Sequence, residues 1–294
     1  MTLTLILLAV ASALSIVTWY YGGFWHSLQW MWLPFALVFA FFWALYLIWC
    51  IVLALCSNGF NRSKKNYAPC RPAMWVLSQT CFVLLLFFRV RFHATGMGKV
   101  PSPKTKFMVV SNHLSGFDHV GLVSLFVKHR MVCVQKQQIG KVILASGWTK
   151  RAGYLNIDQT DVLSGTRIIE TAGKYIKDGT CSVCIAPEGT RNKNFPDPEL
   201  LPFHPGSFQM AYDSHCPIVV FAIQNTNCVF RRWPWKRTDV YFDCVGMLEY
   251  DEYKGLSPAE LAQKTHAMIE RRFDHKRARF YHLKKKTEAE KPEA

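Results

Sequence analysis

The chain has 294 residues, half of them hydrophobic, and a formal net charge of +15. That length can bury one large core or two small ones. A charge of this size and sign calls for an acidic partner, and since no zinc finger, RNP sequence or basic-region heptad is present, nucleic acid is excluded in favour of anionic membrane lipid.

The hydrophobic residues are concentrated at the start. No charged residue occurs from Thr2 to Tyr21 or from Met31 to Cys56, and each run matches or exceeds the roughly 20 residues that cross a bilayer core. The runs are therefore expected to form a transmembrane helical hairpin over residues 1–57. A cleaved signal peptide is disfavoured, because there is no basic leading segment or small-residue cleavage site. Trp19, Tyr20, Tyr21, Trp25, Trp30 and Trp32 crowd the short connection, as amphipathic rings do at headgroup level. Arg62, Lys64, Lys65 and Arg71 follow the second run, and the positive-inside rule then sets the rest of an integral membrane protein on the cytoplasmic face. Residues 58–89 are a basic linker followed by an apolar stretch, 74–88, that is too short for a confident span and suits an interfacial or re-entrant helix.

Beyond residue 89 short apolar runs alternate with helical periodicity. Residues 107–112, 131–134, 154–157, 181–186, 218–223 and 239–245 are predicted strands. Residues 163–177 are a predicted helix, with Ile168, Ile169, Ala172, Tyr175 and Ile176 on one face and Gly179 as its stop. Ser257, Pro258 and Glu260 spell the start of a last helix through a capping box. The pattern predicts an α/β fold, a mixed, largely parallel sheet flanked by helices, over residues 90–273, with a basic tail over 274–294. In such folds chemistry gathers at the carboxyl ends of strands.

The ten cysteines are scattered through a region expected to face a reducing compartment, so disulfides are not expected. Cys181 and Cys184 have CxxC spacing but no second pair, and are read as buried thiols on a strand.

Two stretches carry chemistry. In "SNHLSGFDH" (111–119) a strand hands over to a turn and then a helix near Asp118. If the turn curls back, the Asp118 carboxylate meets one nitrogen of His113 and frees the other as a general base. Alternatively Asp118 is a helix cap, or His113, Asp118 and His119 belong to a metal cluster. The last is disfavoured without a third clear ligand, HxH or HExxH, and no metal is assigned. In "CIAPEGTRN" (184–192) a strand ends in a tight turn of Glu188, Gly189, Thr190 and Arg191. Its glycine admits backbone N–H groups to an anion, and its arginine offers a planar fork to phosphate.

These stretches resemble the glycerophospholipid acyltransferases, the 1-acylglycerol-3-phosphate acyltransferases. "NHLSGFD" is similar to the family's NHxxxxD block, "APEGTR" to its PEGTR block, and "CPIVVFAI" (216–223) to its closing hydrophobic block. Lys136 with "AGYLNID" (152–158) resembles its intermediate block, which here ends in Gln159 where arginine is common. The resemblance spans residues 90 to 245 in family order. It implies that His113 is the base and Asp118 its partner, that Lys136, Glu188, Gly189, Thr190 and Arg191 bind the acceptor phosphate, and that no cofactor is needed. The implied substrates are acyl-CoA or acyl carrier protein as donor and a lysophospholipid as acceptor, 1-acylglycerol-3-phosphate first. The absence of GxSxG disfavours a serine hydrolase. Another lysophospholipid acceptor, a membrane-tethered metallohydrolase and a non-catalytic scaffold are the rival expectations. The loop 230–237, with Trp233, Trp235 and four basic residues, is either a headgroup contact or a plain exposed loop.

Overall fold

The computed structural model describes residues 2–23, 33–58, 68–136, 146–157, 162–194 and 200–274. The chain divides into two compact units, Met1–Lys64 with Val142–Gly147, and Lys65–Lys141 with Trp148–Ala294.

In the first unit helices α1 (Thr2–Tyr21) and α2 (Leu33–Asn58) pack against each other. They coincide with the two charge-free runs, but the expected transmembrane hairpin is not upheld. Among the described residues no helix is long and apolar enough to cross a membrane. The integral-membrane localisation and the cytoplasmic placement derived from it fall with the spans. Trp25, Trp30, Trp32, Arg62, Lys64 and Lys65, which supported that topology, lie outside the described residues, as does the tail beyond residue 274.

The second unit is built on one seven-stranded sheet, β1 (Val90–Thr95), β2 (Met108–Ser111), β3 (Met131–Lys136), β4 (Leu155–Ile157), β5 (Ser182–Ile185), β6 (Ile218–Gln224) and β7 (Thr238–Leu248), in the order β1-β7-β6-β2-β5-β3-β4. The five strands from β6 to β4 are mutually parallel, whereas β7 runs antiparallel to β6 and β1 parallel to β7. The sheet is thus mixed and largely parallel, as the alternating pattern predicts. Every residue of β2, β5 and β6 is buried, which explains why they spell near-continuous apolar runs: helices cover both faces of a parallel sheet.

The helices are α3 (Arg71–Phe87), α4 (Gly116–Leu125), α5 (Ser146–Arg151), α6 (Val162–Lys177), α7 (Gln209–Ser214), α8 (Val229–Arg232), α9 (Tyr250–Tyr253) and α10 (Pro258–Glu270). The short apolar stretch 74–88 forms α3, which packs against α4. Ala73, Met74, Leu77, Cys81 and Leu85 recur at helical spacing and form its buried face. α10 starts at the expected capping box, with Ser257 Oγ accepting from the Glu260 N–H and Glu260 Oε2 accepting from the Ser257 N–H. Cys181 and Cys184 are fully buried, free thiols.

α4 lies close to the sheet because Gly121 has no side chain: a Cβ there would overlap the ring of Phe242 on β7, which is itself fully buried. Overpacking of this kind costs about 1–3 kcal/mol. Gly121→Ala is therefore expected to lower the free energy of unfolding by about that amount, measured as a shifted urea midpoint with an unchanged slope; an unshifted midpoint would show that the helix retreats without cost.

Candidate active site

β6, β2, β5 and β3 are neighbours that run the same way, so their carboxyl ends open on one edge of the sheet. Both sequence stretches leave the sheet there. At the end of β2 the backbone turns away, but Asn112 prolongs the pairing with its side chain: its amide nitrogen donates to the Ile223 carbonyl at 2.9 Å and its amide oxygen accepts from the Ile223 N–H at 2.7 Å. The turn that follows is anchored before it reaches α4.

The Asp118 carboxylate organises that turn. Oδ2 accepts from the Leu114 N–H at 2.6 Å, from the Ser115 N–H at 2.8 Å and faces His113 Nδ1 at 2.8 Å. Oδ1 accepts from the hydroxyl of Thr226, just beyond β6. Ser115 is the N-cap of α4, its Oγ accepting from the Phe117 N–H at 3.1 Å, and Asp118 completes a capping box. Asp118 therefore both caps α4 and faces the imidazole. A carboxylate only accepts hydrogen bonds, so Nδ1 carries the proton and the lone pair is on Nε2, for which no described group is a hydrogen-bond partner. This is the arrangement that lets an imidazole take a proton from an incoming hydroxyl.

The second stretch docks directly on the first. Glu188 Oε1 accepts from the His113 N–H at 3.0 Å, and the Asn192 N–H donates to the His113 carbonyl at 2.8 Å. Gly189 adopts a left-handed φ of 63°, and a Cβ there would press within 3.1 Å of the His204 ring. The turn thus demands glycine twice, for conformation and for space. Arg191 is exposed, and its Nη2 comes within 3.9 Å of where a Cβ on Gly116 would sit, over the first turn of α4. Lys136, the last residue of β3, donates from Nζ to Thr190 Oγ1 at 3.3 Å. All seven residues singled out from the sequence come together at this edge. Gln159 lies outside the described residues.

Burial, with the charge of Asp118 as a lesser cause, pushes the Glu188 carboxyl up to about 8, so it is protonated at neutral pH. The backbone N–H groups of His113 and Leu201 oppose that shift without cancelling it. His119, which stacks on His113 with centroids 5.2 Å apart, is pushed down to about 4, first by burial and then by His113. It is neutral at physiological pH.

His119, Cys133 and Cys184 bring one nitrogen and two sulfurs within 4.8 Å of one another, and among the described residues they form the group that could hold a metal. The set is one donor short of a closed zinc site, and a hydrogen bond with Cys133 together with burial holds the Cys184 thiol well above its ordinary range. The donors fit packed thiols better than a metal centre. Of the three residues named for a metal cluster, His113 and Asp118 are hydrogen-bonded to each other, with Asp118 also in the α4 cap, while His119 lies beside Cys133 and Cys184.

Residues 91–224 match a protein family described as Acyltransferase. That match covers just under half of the chain. The chain is 30% identical over 135 residues to the human 1-acyl-sn-glycerol-3-phosphate acyltransferase alpha, the match covering 45% of each chain. It is 28% identical over 129 residues to a 1-acyl-sn-glycerol-3-phosphate acyltransferase of Limnanthes douglasii, covering 44% of each. The matched stretch thus spans about half the length of these curated relatives. The crystal structure of the 1-acyl-sn-glycerophosphate (LPA) acyltransferase PlsC from Thermotoga maritima has the same fold, with a TM-score of 0.54 and 18% identity over 90% of this chain and 93% of that one.

Sequence reading gave no role to Thr226, and it took in Asn112 and His204 only as members of longer stretches, 112–118 and 200–211, without a role for either side chain. Thr226 had one signal, its place just past the carboxyl end of a predicted strand; His204 had only its place in the stretch 200–211.

The Glu188 proton has a consequence for stability. The folded protein holds it up to about pH 8 and the unfolded chain releases it near the ordinary value of 4.5, so stability falls as pH rises through that window and levels off above it. Glu188→Gln keeps an acceptor for the His113 N–H and removes the titration. Its melting temperature relative to wild type should therefore improve steadily from pH 5 to pH 8; a constant difference would mean that Glu188 is ionised throughout.

Proposed function

We propose that this chain transfers a fatty acyl group from a thioester, acyl-CoA or acyl carrier protein, to the free hydroxyl of a lysophospholipid, with 1-acylglycerol-3-phosphate as the preferred acceptor and phosphatidate as product. The observation that carries the reading is the buried His113–Asp118 pair at 2.8 Å, beside a turn that presents Arg191 and is met by Lys136 from the end of β3. The names and matched segments of the relatives support the same substrate class.

In this mechanism His113 Nε2 removes the proton from the acceptor hydroxyl as its oxygen attacks the thioester carbonyl. The tetrahedral intermediate collapses with loss of the thiol, and the imidazolium returns the proton to the departing sulfur. Asp118 stabilises the imidazolium and fixes the ring. A positioned base contributes about 10²- to 10⁴-fold, which suffices because the thioester is already activated and no enzyme-bound acyl group is required.

The acceptor phosphate sits among Arg191, Lys136 and the first turn of α4, whose helix dipole adds favourable potential. Gly189 and Thr190 shape the turn and hold Lys136 towards it. Glu188 is compatible with an anion there because it carries no charge at neutral pH. Its role is to hold the His113 backbone in place. No cofactor enters the proposed reaction.

Two measurements test the reading. His113→Ala should lower kcat for acyl transfer to 1-acylglycerol-3-phosphate by about 10²-fold or more with an unchanged fold by circular dichroism; near wild-type turnover would remove His113 as the base. Arg191→Ala should raise the KM of the phosphate-bearing acceptor about tenfold or more while leaving the donor KM within twofold, since a lost charge-assisted contact is worth about 1.5–3 kcal/mol. Equal effects on both substrates would place Arg191 outside the acceptor site.

A further inference from the structure

α3 is apolar on both sides. Its inner face packs into the core, yet its outer face and C-terminal end expose Trp75 at 44%, Leu86 at 52% and Phe87 at 39% of their surface. A helix that packs on one side only normally turns polar residues outward, and this one does not.

The segment joining α8 to β7 extends the same surface. The Trp233 indole N–H donates to the Phe87 carbonyl at 3.0 Å, and Arg89 Nη1 donates to the Pro234 carbonyl at 2.8 Å. These ties fix the loop against the C-terminal end of α3. Beside them Phe230 is 66% and Trp235 85% exposed. Two aromatic rings that large, held open to solvent next to an apolar helix end, form a patch of the kind that marks an interaction surface.

The charge around the patch selects its occupant. Arg89, Arg231, Lys236 and Arg237 are exposed around these rings, and no Asp or Glu occurs in residues 71–95 or 225–238. Indole rings flanked by cations, with an apolar centre, match the boundary between headgroups and acyl chains of an anionic bilayer.

The patch also adjoins the candidate active site. Phe88 packs against both Phe230 and Phe117, at centroid distances of 5.2 and 5.0 Å, and Phe230 packs on Phe117 at 5.1 Å. Phe117 precedes Asp118 in the first turn of α4. We infer that α3 and the α8–β7 loop form a docking surface for an anionic lipid bilayer, which the protein rests on without crossing. The purpose of this surface rests on the proposed acyl transfer: a lipid acceptor reaches His113 from the bilayer past a continuous wall of aromatic rings.

The experiment is vesicle co-sedimentation of the full chain, without turnover. Vesicles of phosphatidylcholine alone are compared with vesicles containing phosphatidylserine. Wild type should bind the anionic vesicles, less tightly as salt rises. Leu86→Ser/Trp235→Ser should weaken binding about tenfold or more, and Lys236→Glu/Arg237→Glu on the order of a hundredfold at low salt. All four positions are exposed and outside the site, so both double variants should keep wild-type transfer to a short-chain, monomerically dispersed acceptor. Undiminished vesicle binding by both variants, or a wild type indifferent to phosphatidylserine, would overturn the inference. Docking that persists while transfer is absent would instead count against the proposed reaction and leave the surface standing.

Discussion

The Asp118 carboxylate is almost wholly withdrawn from water, and a buried charge survives only where hydrogen bonds replace its lost solvation. Here the replacements come from two separate parts of the chain: the Leu114 and Ser115 amides with the His113 ring, and the Thr226 hydroxyl from the far side of β2's neighbour β6. The turn after β2 must curl, α4 must begin at Ser115 and the end of β6 must lie alongside for the charge to be satisfied. Helix capping and imidazole orientation are two results of one constraint, and the same oxygen, Oδ2, serves both.

The sheet explains how distant stretches of sequence share that constraint. β2 is flanked by β6 on one side and β5 on the other, all parallel. The loops that follow these strands therefore begin side by side, although residues 112, 186 and 225 are far apart along the chain. Asn112 stitches the first gap by pairing with Ile223, and Glu188 and Asn192 stitch the second by bonding the His113 backbone from above and below. Each stitch fixes backbone rather than side chain, which is how a fold holds a reactive ring steady while leaving its outer nitrogen open.

The same topology sets what a sequence reader sees. β2, β5 and β6 were legible because burial on both faces writes an uninterrupted apolar run, and α6 because one buried face writes a 3.6-residue rhythm. β1 escaped notice: as an edge strand reading "VRFHAT", half-exposed along its length, it carries no strong pattern. His113, Asp118 and the Glu188–Arg191 turn stood out because glycine and charged residues directly after buried strands have few structural reasons to be there, and their order resembled a known family. His204 was hidden because its contact with Gly189 arises only when a later segment folds back over the turn. The charge-free opening of the chain misled in the opposite direction, since a missing charge is a weaker statement than a helix built to span.

A charged carboxylate would oppose an anion at the turn that presents Arg191, and Glu188 avoids that conflict by keeping its proton. Burial costs the ionised form more than the backbone N–H groups of His113 and Leu201 return, and the neighbouring Asp118 charge raises that cost further. Only one of the two carboxyls can be ionised cheaply in so small a space. Asp118 has four donors and Glu188 has few, so the proton settles on Glu188. In the proposed chemistry that division leaves a single negative charge, held where it supports an imidazolium, and leaves Arg191 and Lys136 free of competition for a phosphate. The positions of the hydrogen-bond donors, more than the identities of the two acids, decide which one serves the base and which one merely holds its backbone.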